Sequence, residues 1–144
     1  MPNDFPMNSS SPHLRFGWWS LLFWLALGLG LEALHGFKAG WYLDVGQETR
    51  RLMLTLAHAH GTLLALLNIA AGLTARGVAG LEFSRGVSLA LRGGAVLLPL
   101  GFLLGAFGIH GGDPGVGVWL APLGGVLLVG GVAGAAAAVH RALK

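Results

Sequence analysis

Four long apolar runs dominate this chain and set what it can fold into: about residues 18–35, 52–73, 90–109 and 116–139. A helix rises about 1.5 Å per residue and a bilayer's hydrocarbon core is about 30 Å thick, so runs of this length are long enough to span it. Only the third is marginal, and it reaches across if the Arg92 side chain extends toward the headgroups. The runs are too long and too uniformly apolar to be alternating barrel strands, and in lipid every backbone N–H needs a partner within its own segment. The fold class expected is therefore all-α, a polytopic membrane four-helix bundle. Composition agrees: 54% of residues are hydrophobic, 10% are charged and the mean hydropathy is +0.69. These values lie far from those of a soluble domain.

Residues 1–16 are polar and rich in Pro and Ser and read as a disordered cytoplasmic tail, with residues 17–144 forming the transmembrane domain. Trp18 and Trp19 suit a headgroup-level anchor. The first span lacks a small-x-small cleavage site followed by a mature domain, so it reads as a retained helix, not a signal peptide. With four spans the termini share a side. Six cationic residues (Arg15, Arg76, Arg85, Arg92, Arg141 and Lys144) fall on that side, against three (Lys38, Arg50 and Arg51) on the other. The positive-inside rule then places both termini in the cytoplasm. The same scatter of cations between apolar runs argues against nucleic acid, which calls for a basic cluster. The partners expected are the bilayer and other membrane proteins or further copies of the chain.

The chain has no cysteine, so disulfides and thiolate metal sites are excluded and any metal must rely on imidazole, carboxylate or methionine. Four of the six histidines (His35, His58, His60 and His110) fall toward the side opposite the termini. Glu32 and His35, spaced i, i+3, share a helix face. His58 and His60 stand about 200° apart around their helix and cannot grip one ion from a single face. Thr55, His58, Gly61 or Thr62, Ala65, Asn68 and Gly72 follow the helical period as a stripe of small and polar residues, the surface that close helix packing uses in lipid. His60 lies off the stripe, which makes it the histidine with less packing rationale and the stronger chemical candidate of the two.

An ionisable side chain at membrane depth is expensive and marks function by default. The site expected is an outward-facing His/Glu pocket. His58 and His60 are its first candidates for a b-type haem or a copper or zinc ion, and His35 and His110 are second. Glu32 would serve as a further metal ligand or proton acceptor, and Arg50 and Arg51 would meet haem propionates or lipid phosphates. No hydrolase triad is visible and the polar segments are too short for a catalytic domain, so the chain is not expected to be an enzyme. Two rival readings are a non-catalytic structural or assembly subunit and a small oligomeric transporter. The glycine-rich stretches read as packing surfaces, since no strand or P-loop lysine accompanies them. LEALHG at 31–36 and GAFGIHG at 105–111 hint at two related hairpins.

LEALHGFKAGWYLD (31–44) followed by TRRLMLTLAHAHGTLLALLNIA (49–70) resembles a group of small, uncharacterised four-span bacterial membrane proteins. That resemblance covers about the first half of the chain and implies a bacterial inner membrane, with no activity attached. The His-x-His-Gly element is also similar to helices of haem-copper oxidases. Four spans are too few for such an oxidase, and spans three and four lack its additional deep histidines.

Overall fold

The computed structural model describes residues 10–144 and is helical throughout its long elements. Four helices are long and apolar enough to cross a membrane: α1 (Ser10–Gly36), α3 (Glu48–Gly77), α4 (Arg85–Gly105) and α5 (Leu120–Ala142). A short helix α2 (Gly40–Leu43) and a 3-10 turn at Val45–Gln47 link α1 to α3, and a second 3-10 turn at Val116–Trp119 leads into α5. The all-α four-helix fold matches the sequence expectation.

The first span is longer than its apolar run. Helix α1 starts at Ser10, so residues 10–16 of the segment read as a tail are helical; residues 1–9 of that segment lie outside the described residues. The reason is tertiary: Ser10 and His13 are buried, Ser10 against Gly72 of α3. Pro12 is tolerated because the first turn of a helix has no N–H to lose. At the other end of α1, the left-handed residue is Lys38 at φ 52, not Gly36. The Lys38 and Ala39 amides return to the His35 and Leu34 carbonyls at 3.1 and 2.9 Å, closing the last turn.

Helix α4 stops at Gly105, four residues before the end of its apolar run. The Gly105 carbonyl accepts from the Gly115 amide at 2.9 Å, and Gly108 turns the chain at φ 68. His110 and Asp113 then pair across Gly111 and Gly112, both at positive φ, which is the backbone of a type I′ turn. His110 therefore lies in a turn beyond α4, whereas His35 is inside the last turn of α1. The two His-Gly elements are not structural equivalents. At its start α4 is capped by Ser84, whose hydroxyl accepts from the Val87 amide at 3.3 Å.

The helices pack as two antiparallel hairpins, α1/α3 and α4/α5, joined through α3 and α4. Glycines draw each hairpin together. A Cβ on Gly17 would sit 2.6 Å from Ile69, and one on Gly94 would sit 2.8 Å from the Leu128 amide nitrogen. In lipid, where apolar burial between helices gains little, such close backbone approach supplies the van der Waals contact that holds helices together. The stripe read along α3 is the face that meets α1: Gly61 receives Trp24, Ala65 lies against Gly17, and Gly72 against Leu14. Helices α1 and α4 barely touch, so α3 is central and an apolar groove opens between its two neighbours.

Candidate functional site

The two ends of α3 are packed differently. At the end away from the termini, Leu31, Tyr42, Met53, Leu54 and Ala106 form a buried cluster that fixes α2 against the long helices. Beside it two cavities share Tyr42 and Thr55 as wall residues. One, of 610 Å³, is lined by His35, Glu48, Thr49 and Arg51 as well; the other, of 360 Å³, reaches Gly28, Leu29, Glu32 and His58. Both volumes suit a small-molecule site, for which roughly 300–1,000 Å³ is usual. Glu32 and His58, on different helices, thus face one cleft, with His35 and Arg51 in the adjoining space.

His58 is held in place. Its Nδ1 lies 2.8 Å from the Trp24 carbonyl, and its ring occupies the space that a side chain on Gly28 would fill. A carbonyl only accepts, so Nδ1 carries the hydrogen and, in the neutral ring, Nε2 presents its lone pair. A backbone carbonyl behind a histidine's second nitrogen is also the arrangement that orients metal-ligating imidazoles. At about 1.5 Å per residue, His58 lies about 15 Å along α3 from its start.

The remaining sequence candidates separate. His60 bonds through Nδ1 to the Leu56 carbonyl one turn back at 2.9 Å and packs against Phe102 of α4, ring centroids 5.0 Å apart. It therefore has the packing partner that the sequence did not reveal, and it faces α4, away from the Glu32 cleft. His110 is exposed, its Nδ1 2.8 Å from the Gly108 carbonyl. Arg50 is already engaged: its guanidinium lies 4.7 Å over the Trp41 ring, donates to the Trp41 carbonyl at 2.9 Å and bonds to Gln47. Arg51 is the arginine that lines the cavity. Among the described residues no group of three His, Asp or Glu side chains is placed to hold a metal ion, so Glu32, His35, His58 and His60 do not form a chelate. His60 departs because a residue two positions from His58 must look toward a different neighbour.

Two buried side chains, one at the cleft and one at the opposite end of α1, were not singled out from sequence. Tyr42 is buried where the two cavities meet. His13, read as part of the tail, is fully buried, with Nδ1 2.9 Å from Asn68 Oδ1 and its ring edge-on to Phe83. Asn68 Nδ2 donates to the Leu64 carbonyl at 3.0 Å, which orients the amide so that Oδ1 accepts from His13. The signal was available as a continuation of the α1 pattern, since Ser10, His13, Gly17, Trp24, Gly28 and Leu31 all lie on its buried face. No family model matches this chain, and neither does any curated protein or solved structure.

Proposed function

We propose that this is a multi-pass protein of the bacterial inner membrane, with both termini cytoplasmic, that binds a ligand in the outer cleft between α1 and α3 and is not itself an enzyme. The observation that carries the reading is that Glu32 and His58 line one cavity whose walls continue, through Tyr42 and Thr55, to His35 and Arg51. Such a combination of a fixed imidazole, a carboxylate and a mouth arginine is costly in a membrane unless something uses it.

Haem b suits this cleft better than a bare copper or zinc ion. A bare ion asks the protein for three or four donors, whereas a haem iron brings four of its own and needs only axial ligands. His58 would be the first residue to hold the iron and His35, which lines the adjoining cavity, the second. Leu25 and Leu29 offer apolar wall, and Arg51 offers a propionate partner. Haem held there would supply one-electron chemistry. The test is the absorption spectrum and metal content of detergent-purified protein, before and after haemin titration. A Soret band should be lost in His58→Ala, weakened in His35→Ala and retained in His60→Ala. Protein that is colourless, metal-free and unable to take up haemin overturns the reading.

The structural-subunit reading has one observation of its own. Gly130, Ala133 and Ala137 lie exposed on one face of α5, and a side chain on Gly130 would meet nothing. Small residues on an open helix face suit a partner helix in lipid. Co-purification of a membrane partner that Gly130→Leu releases, with no chromophore in the wild type, is the outcome that selects it.

A further inference from the structure

Arg92 takes no part in the α1/α3 cleft, yet it stands about 10 Å along α4 from its start, at a depth where a guanidinium is expensive. It is half-buried, and its Nε donates to the Ser88 carbonyl one turn back at 3.2 Å. That lean brings its charge within electrostatic reach of His13 on α1. Among the described residues its two terminal nitrogens, both donors, have no acceptor.

The same face of α4 continues into an apolar groove. Arg92 precedes Ala95 by three residues and Val96 by four, so it falls on one helical stripe with them and with Leu103. Those three residues, with Trp19, Phe23 and Trp24 of α1, wall a cavity of 410 Å³ between the two helices. Trp19, Phe23 and Val96 are exposed, so the cavity opens sideways to hydrocarbon. Helices α1 and α4 both start on the side of the termini, so the Arg92 end of the groove is also the end near Trp18 and Trp19, where a headgroup-level anchor belongs. Exposed Arg15, one turn before Trp19, adds positive potential at that end. From Ala95 to Leu103 the α4 wall is about 12 Å long, close to the half-thickness of a hydrocarbon core, about 15 Å.

We infer that this groove holds one anionic glycerophospholipid of the leaflet on the side of the termini, with its phosphate on Arg92 and one acyl chain against Trp19, Phe23, Trp24 and Val96. The phosphate supplies the acceptors that the guanidinium lacks, and the chain covers the aromatic and aliphatic walls. An apolar partner helix would cover the walls and leave the guanidinium unpaired; a soluble anion would pair it and leave the walls bare. A zwitterionic lipid brings its own cation toward Arg92 and is disfavoured by that repulsion. The groove lies apart from the α1/α3 cleft and does not depend on what binds there.

Bromine on an acyl chain quenches indole emission at close range, and Trp19 and Trp24 are on the groove wall. The exposed Trp18, Trp41 and Trp119 are changed to Phe in the full chain, so that only those two emit. The protein is placed in phosphatidylcholine nanodiscs with a rising fraction of brominated-chain phosphatidylglycerol or brominated-chain phosphatidylcholine. Phosphatidylglycerol should reach half-maximal quenching at about a fivefold lower fraction, the preference that one cation near the surface gives. Arg92→Gln should bring the two lipids within about twofold of each other, while Arg92→Lys keeps most of the preference. Arg141→Gln, which removes an exposed cation of α5, should leave the preference unchanged. Val96→Phe, which fills the groove from an exposed position, should weaken quenching by both lipids. Equal half-points for the two lipids overturn the assignment, and so does a preference that survives Arg92→Gln or that Arg141→Gln removes as well, since diffuse surface charge then explains it. If Arg92→Gln alters the fold by circular dichroism, the lipid preference of the native chain and its persistence in Arg141→Gln decide.

Discussion

At the scale of single residues, the polar side chains of α3 divide by what stands behind them. Asn68 and His13 satisfy each other at full burial, which is how a membrane interior accommodates polar groups, yet His13 Nε2 has no partner among the described residues. Pairs of this kind contribute on average about 0.6 kcal/mol and up to about 1.7 kcal/mol, because the separated helices also find partners in the bilayer. His13→Leu and Asn68→Leu should each destabilise the protein. The double variant should lose less than their sum, by a coupling within that range, read from unfolding in mixed micelles with increasing SDS. Strict additivity would show that the pair carries no interaction energy. The sequence made His58 legible through its stripe. His60 was misjudged because Phe102, its partner, comes from a helix whose rotation about its own axis the sequence does not fix. His13 was missed because hydropathy weighs residues singly, and a Ser-Ser-Pro-His segment is polar wherever it packs.

At the scale of helices, the apolar runs located all four spans, but their ends were set by contacts that hydropathy does not see. Helix α1 gains residues because α3 offers Gly72 and Asn68, while α4 loses its last turn because the Gly105 carbonyl takes the Gly115 amide instead. The glycines make the sharpest element-scale prediction. A side chain on Gly124 would overlap the Leu98 backbone, whereas one on Gly130 meets nothing. Gly124→Val should therefore force α4 and α5 apart, at a cost of about 1–3 kcal/mol in the same SDS titration, the range for overpacked interiors. Gly130→Val should stay within about 0.5 kcal/mol of the wild type, as surface changes do. Equal losses at the two positions would contradict this placement of α5.

At the scale of the whole molecule, the question is which compartment the cleft faces, and the cation tally and the packing bear on it together. Arg15 and Arg92, counted with the tail and the middle loop, turn out to lie within α1 and α4, but near the ends that carry the termini and the 78–84 loop. Arg92 Nε donates to the Ser88 carbonyl at 3.2 Å, toward the start of α4, so its charge leans to that same side. The six-to-three excess therefore survives folding, and the cleft belongs to the opposite side. The absence of any cysteine makes this directly measurable, because a single introduced thiol is the only one present. Gly46→Cys lies in the exposed segment before α3 and Glu82→Cys in the exposed loop before α4. A membrane-impermeant maleimide added to intact spheroplasts should label Gly46→Cys at once and Glu82→Cys only after permeabilisation. Thr55→Cys, on the wall common to both cavities, should label from outside as well, and a ligand filling the cleft should slow it. The reverse order would place the Glu32/His58 cleft in the cytoplasm and invert the positive-inside assignment. Labelling of Thr55→Cys that haemin leaves unchanged would instead keep the topology and count against haem in the cleft.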